Sequence, residues 1–318
     1  MSVEQIRKIA VIGAGLMGHG IALELAAHGY PVSLYDLNDE ILARAMQNVR
    51  RNLKLLADNG LLTAQQAEEA PSRIAPSADL ERAAGDADLV IEAVAEKLEV
   101  KHDVFRRLDA ICPPHTLLAS NSSTLMPSQL APATRRPERV LVAHYWNPPF
   151  LLPLVEIVGG PQTAPESLEA VRRLMLQIGK TPVVMKKEAP GFIGNRLQFA
   201  LLREALSIVE KGLATPEEVD MVVRSSFGRR LAVVGPFETF EVGGYDILYG
   251  AASYLFPDLD NSTTPPESLR RQVERGDLGI KTGKGIYTWT PETAEALRKR
   301  INDALILSAQ RARSNRRD

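Results

Sequence analysis

A single cysteine, Cys112, occurs in 318 residues. It has no partner for an internal disulfide, and no cysteine cluster exists to hold zinc, so no metal site is expected. Net charge is almost absent too: 38 Lys and Arg against 39 Asp and Glu leave −1. That excludes a nucleic-acid partner held by bulk electrostatics. No run of about 18 apolar residues is available to span a bilayer. The first apolar run, Ile9 to Ile12, is strand-sized and ends in glycines, unlike a secretory signal. Internal repeats and low-complexity tracts are missing. What remains is an ordinary globular composition, 45% hydrophobic and 24% charged, in a chain long enough for two domains and a large core. A soluble, cytoplasmic protein with no membrane partner is expected. Arg311, Arg313, Arg316 and Arg317 form a basic tail, read as a solvated end.

The first half of the chain alternates short apolar runs with helical periodicity. Strands are expected at Ile9–Ile12, at "PVSLYD" before Asp36, over Asp88 to Val94, at Leu117 to Ser120 and at Arg139 to His144. Helices are expected over Leu16 to Ala27, Leu37 to Leu56, Thr63 to Ala70 and Leu98 to Ile111. This alternation predicts an α/β fold, a mostly parallel sheet with helices on both faces. The character changes near "EAPGFIGNRL", where Pro190-Gly191 is turn chemistry. A long helix follows to about Lys211. Thr215-Pro216 is an N-cap with proline at the first helical position, and helices then dominate. Thr290-Pro291-Glu292 caps a last helix. The expected domains are 1–187, Rossmann-like; 188–290, mostly helical; and 291–318, a terminal helix and tail.

"IAVIGAGLMGHGIA" holds Gly13-x-Gly15-x-x-Gly18 between a strand and a helix, and Asp36 ends the next strand. Gly13 permits the tight turn, Gly15 lets a pyrophosphate approach the backbone, and Gly18 lets helix and strand pack closely. The helix N-terminus favours the negative charge. Leu16 and Met17 lie in the same turn. Asp36 suits ribose hydroxyls and repels a 2′-phosphate, which favours NAD over NADP. A ligand-free Gly-rich corner is the plainer alternative.

His144 ends one apolar run, and Glu156 sits inside the next, among Leu154, Val155, Ile157 and Val158. Singly, each has an ordinary reading: a strand-end histidine bonded to backbone, and an exposed strand glutamate. Together they suggest chemistry. A carboxylate among such neighbours needs a partner. A histidine suits the proton released when NAD oxidises a secondary alcohol, and a carboxylate on its other nitrogen fixes the tautomer. Pro148, Pro149 and Pro153 stiffen the loop between them.

With "VIGAGLMGHGIA", "DLVIEAVAEKLEVKHDVF", "ASNSSTL", "AHYWNPP", "LPLVEI", "APGFIGNRL", "VGPFE" and "LGIKTGKGIYTW", the chain resembles the NAD-dependent L-3-hydroxyacyl-CoA dehydrogenase family almost end to end, 3-hydroxybutyryl-CoA dehydrogenases included. The resemblance implies a Rossmann-like domain, a helical domain used for homodimerisation, His144 as catalytic histidine and Glu156 as its partner. It implies that Ser123 and Asn195 bind substrate, with Ser123 beside the nicotinamide, and that Glu96, Lys101 and Asn147 contact the cofactor. "SSTLMPSQL", "NPPFLLPLVE" and "GRRLAVVGPFET" are most similar to the lambda-crystallin branch, an L-gulonate 3-dehydrogenase, whereas "LGIKTGKGIYTW" is similar to the acyl-CoA enzymes. The implied substrate is a 3-hydroxyacyl-CoA or a free 3-hydroxy acid. Arg50, Arg51 and Lys54 are candidate cations for CoA phosphates, or simply a solvated helix face. Arg229 and Arg230 are candidates for a free carboxylate.

Overall fold

The computed structural model describes residues 5–314; Arg316 and Arg317 of the basic tail lie outside the described residues. Eight strands form one sheet: β1 (Ile9–Ile12), β2 (Val32–Tyr35), β3 (Ile74–Ser77), β4 (Leu89–Glu92), β5 (Leu117–Ser120), β6 (Val140–Tyr145), β7 (Leu154–Gly159) and β8 (Thr181–Val184). Their order is β3-β2-β1-β4-β5-β6-β7-β8. Every neighbouring pair is parallel except β6 and β7. Strand order reverses between β1 and β4, and ligands of such sheets bind beyond the strand C-termini at that switch.

Two-residue periodicity splits β1 between two cores. Ile9 and Val11 pack with Ile21, Ala22 and Leu25 of the first helix, α1 (Gly18–Ala27). Ala10 and Ile12 pack on the other face with Phe105 and Leu108 of helix Leu98–Ile111. Each such fully buried large side chain contributes about 1.5–3 kcal/mol. The second helix, α2 (Asp39–Asp58), starts where Asn38 accepts the Ile41 N–H at 2.9 Å, two residues later than periodicity suggests. The capping box expected at Thr215 is present and opens helix Pro216–Ser225.

β3 and β8 are additions to the expected strands. Both are edge strands, and they contain Pro76 and Pro182. An edge position tolerates the missing N–H, so the proline that disguises them in sequence does not break the sheet.

The chain divides into two compact units, residues up to Asn195 with those from Ile301 onward, and Arg196–Arg300. The division between these compact units falls inside helix Gly194–Glu210, and the last helix, Pro291–Ser314, contributes residues to both. Its C-terminal half returns to the first unit because Ile306 is buried there, with Leu305 and Ala309 against the same core. Gln310 and Arg313 donate to the carbonyls of Asn59 and Gly60 at 2.8 and 2.9 Å. Arg313 is therefore bonded rather than simply solvated.

The second unit is helical, with helices Pro216–Ser225, Phe227–Leu231, Pro236–Glu241, Tyr245–Leu255 and Glu267–Glu274. In "LGIKTGKGIYTW" the Gly279 N–H donates to the Lys284 carbonyl, and the rings of Tyr287 and Trp289 meet edge-on. No helix among the described residues is long and apolar enough to cross a membrane.

Candidate active site

The dinucleotide turn follows β1. Gly13 has φ +101°, and a Cβ there would lie 2.7 Å from the Ala93 carbonyl oxygen. A Cβ at Gly18 would lie 1.7 Å from the Gly13 oxygen, whereas one at Gly15 would meet nothing within 4 Å. Two glycines are thus required by the protein's own packing, and the third leaves space beside the backbone. Asp36 orients the turn: its carboxylate accepts the N–H groups of Ala14 and Leu37, both at 2.7 Å. Leu16 is exposed and Met17 half-buried. Open backbone at Gly15, the free end of α1 and a carboxylate after β2 are the parts a dinucleotide needs.

Beside the turn lies a cleft of about 310 Å³, lined among others by Met17, Glu96, Asn121, Ser123, His144 and Asn147. Antiparallel pairing sets His144 directly opposite Glu156, on one face of the sheet. His144 Nδ1 lies 2.9 Å from Glu156 Oε2, and the two residues are 6% and 1% exposed. Burial alone pushes the Glu156 carboxyl up. Hydrogen bonds from His144, the Gly194 and Ile193 N–H groups and the Trp146 indole outweigh that and hold it down at about 2. An ionised carboxylate only accepts, so Nδ1 carries the proton and Nε2 is the acceptor. Nε2 makes no hydrogen bond among the described residues.

A second charged cluster builds the loop that carries Ser123. Glu96 Oε1 accepts the N–H groups of Ser123 and Thr124 at 3.0 and 3.1 Å and the hydroxyls of Ser122 and Thr124. Burial pushes Glu96 up, but the Ser122 hydroxyl, the charge of Lys101 and Thr124 together lower it below the ordinary carboxylate range. Lys101 is 1% exposed; its ammonium is shared by Glu92 at 2.8 Å and Glu96 at 3.2 Å. It reaches the cleft through Glu96 and is not among the lining residues. The Asn195 amide donates to the Ser123 carbonyl at 3.1 Å, which brings the start of helix Gly194–Glu210 to the same loop.

Three contributors were not singled out in sequence. Asn121 accepts the Tyr145 N–H at 2.9 Å. Trp146 donates to Glu156 at 3.2 Å and stands 5.6 Å from the His144 ring. Phe192, at φ +52°, is fully buried, and its ring also stands 5.6 Å from that of His144. Trp146 also explains Gly194, where a Cβ would sit 2.3 Å from the indole. Both aromatics lie within the quoted motifs, but only the fold brings them to one histidine. Arg50 and Arg51 are exposed, and Lys54 pairs with Asp58 at 2.9 Å. Arg229 and Arg230 lie on a short exposed helix of the second unit.

Comparison with known proteins gives this geometry a family. Residues 8–189 match the NAD binding domain of 3-hydroxyacyl-CoA dehydrogenase, and residues 191–289 match its C-terminal domain. A probable 3-hydroxybutyryl-CoA dehydrogenase of Bacillus subtilis is 36% identical over 91% of this chain and 100% of its own length. The lambda-crystallin homolog of Homo sapiens is 36% identical over 76% of both chains. The crystal structure of 5-formyl-3-hydroxy-2-methylpyridine 4-carboxylic acid 5-dehydrogenase, an NAD+-dependent dismutase, superposes with TM-score 0.89 at 35% identity, over 95% of this chain and 97% of that one. The chain therefore belongs to the NAD-dependent 3-hydroxyacyl-CoA dehydrogenase family.

Proposed function

We propose that the protein interconverts an L-3-hydroxyacyl-CoA and the 3-oxoacyl-CoA, with the His144–Glu156 pair as its acid–base centre. The observation that carries this reading is the buried 2.9 Å contact between His144 Nδ1 and Glu156, at a cleft beside the dinucleotide turn. When bound, NAD supplies the hydride acceptor for the carbon bearing the hydroxyl. His144 takes the hydroxyl proton at Nε2, and the Glu156 carboxylate stabilises the imidazolium that results. Ser123 offers its hydroxyl, and Asn195 its amide, to the substrate oxygens. Gly15 and the N-terminus of α1 receive the pyrophosphate, Leu16 and Met17 flank it, and Asp36 receives the adenosine ribose. Glu96 and Asn147 line the nicotinamide side, and Lys101 acts by holding Glu96.

A second reading replaces the thioester with a free carboxylate substrate. It is supported by the near-complete match to the pyridine carboxylate enzyme. In either reading the protein acts as a homodimer through the helical unit, whose Phe237, Tyr249, Tyr254 and Phe256 are 72–84% exposed.

NADH oxidation is followed with acetoacetyl-CoA, acetoacetate, 3-dehydro-L-gulonate and 5-formyl-3-hydroxy-2-methylpyridine 4-carboxylate. Turnover of the thioester is expected; turnover of the free acids alone selects the second reading. A protein that binds NADH and reduces none of them overturns both. His144→Ala is expected to cost about a hundred- to ten-thousandfold in kcat and to leave NADH affinity unchanged. Undiminished turnover in that variant would remove His144 from the chemistry.

A further inference from the structure

A further buried ion pair lies outside the cleft. Lys180 Nζ is 2.9 Å from Glu24 Oε1, and the two side chains are 4% and 11% exposed. The same ammonium donates to the Pro149 carbonyl at 2.6 Å and, at 3.4 Å, to that of Leu152. Glu24 belongs to α1, the helix that begins at the dinucleotide turn. Pro149 and Leu152 belong to the loop joining β6, which carries His144, to β7, which carries Glu156. One turn earlier on α1, Gly20 touches the same loop: a Cβ there would lie 3.1 Å from both Cγ and Cδ of Pro149. The loop is anchored again where the Thr181 N–H donates to the Pro153 carbonyl at 2.8 Å.

A buried ion pair is a poor way to gain stability, because desolvating two charges offsets most of their attraction. Leucine and methionine would fill the same volume without that penalty. What the pair does provide is directional: a fixed ammonium that must satisfy a carboxylate on one element and a carbonyl on another at once. Those two elements carry the two halves of the reaction, the helix that receives the dinucleotide and the hairpin that bears the proton acceptor. Hydride and proton transfer depend steeply on mutual placement, so a fraction of an ångström matters.

We propose that Lys180 and Glu24 are positioning residues that set the distance between the cofactor helix and the His144–Glu156 hairpin. The proposal rests on the dehydrogenase reading above for its kinetic consequence, but its structural consequence is read independently. Neither residue of the pair lines the cleft that holds Ser123 and His144. The pair's charge acts on the reaction only through where Pro149, Asn147 and His144 are held relative to Gly15.

The test compares Lys180→Met, Lys180→Arg and the apolar double variant Glu24→Leu/Lys180→Met with wild type. Kinetics use NADH deuterated at the transferred position, with the four carbonyl compounds named above. The structural readout is fluorine NMR of protein labelled with 5-fluorotryptophan, in complex with NADH, with Trp146 and Trp289 told apart by Trp289→Phe. In the double variant the melting temperature is expected to return to the wild-type value or above. Its kcat is expected to stay about tenfold or more below wild type, with KM for NADH within about twofold and a larger isotope effect. Its Trp146 resonance is expected to shift or broaden, while that of Trp289 is unchanged. Lys180→Arg, which keeps the charge, is expected to recover part of kcat. The proposal is overturned if kcat returns together with melting temperature in the double variant, or if the Trp146 resonance is that of wild type. A protein inert to all four compounds removes the dehydrogenase reading, and the Trp146 resonance still decides the positioning claim. If Lys180→Met fails to fold, the double variant and Lys180→Arg carry the test.

Discussion

Replacing Glu156 by Gln changes little in shape and removes one thing, a carboxylate that accepts four hydrogen bonds. Oε2 receives His144 Nδ1 at 2.9 Å and the Trp146 indole at 3.2 Å; Oε1 receives the Ile193 and Gly194 N–H groups at 2.9 and 3.0 Å. An amide has a single acceptor oxygen, so its NH2 must face donors whichever way it turns. The size of the effect follows from the carboxyl itself, held at about 2 where 4.5 is ordinary. That depression is worth on the order of 3 kcal/mol of folding stability. The unfolded chain takes up the proton first as pH falls. The contribution is therefore whole above pH 4.5 and is lost as pH drops through about 2. Glu156→Gln is expected to unfold in urea with about 3 kcal/mol less stability at neutral pH, and with a flatter acid dependence below pH 4.5. Its turnover is expected to fall about a hundred- to ten-thousandfold, since a neutral amide does not balance an imidazolium. Urea titrations followed by tryptophan fluorescence at several pH values, together with NADH oxidation rates, measure both. A variant as stable as wild type at neutral pH, with the wild-type acid slope, would refute the reasoning.

Two glycines of the cofactor turn should fail differently. Gly18→Ala drives a Cβ to 1.7 Å from the Gly13 oxygen and should lower the melting temperature as well as NAD affinity. Gly15→Ala meets nothing within 4 Å, so it should fold normally and lose NAD affinity alone; equal melting losses in the two would contradict the assignment. Asp36→Ala should weaken NAD binding and raise the ratio of NADP to NAD use, read from KM for each; an unchanged ratio would mean that Asp36 only braces Ala14 and Leu37. The Cys112 thiol, pushed up to about 12 chiefly by burial, should stay unreactive to thiol reagents at mildly alkaline pH until the protein is unfolded. Labelling at the rate of an exposed cysteine would show that the site opens.

The dinucleotide half of this protein was legible in one dimension because its signals are local. A strand, a glycine turn, a helix and an acidic strand end lie within 28 residues, Ile9 to Asp36, and Gly18 answers to Gly13 within the turn itself, whereas the neighbour that requires Gly13 is the distant Ala93. Helix caps at Thr63 and Thr215 are equally local, since they bond three residues away. The His144–Glu156 pair was suggested by a carboxylate among apolar neighbours and by the family resemblance, but its contact required a hairpin to place β6 and β7 antiparallel within an otherwise parallel sheet. Edge strands β3 and β8 escaped notice because strand propensity says nothing of which strand will lie at an edge, where proline is harmless. The rest belongs to tertiary structure. Glu156 binds His144, Trp146, Ile193 and Gly194, which lie 10 to 38 residues away. The family resemblance implied that Lys101 contacts the cofactor, and only the fold buries it between Glu92 and Glu96. Lys180 and Glu24 are 156 positions apart and carry no motif; they meet because the loop after His144 crosses α1. Local propensity and spacing decide which elements form, whereas burial decides which distant charges must find each other, since a charge removed from water persists only with a partner.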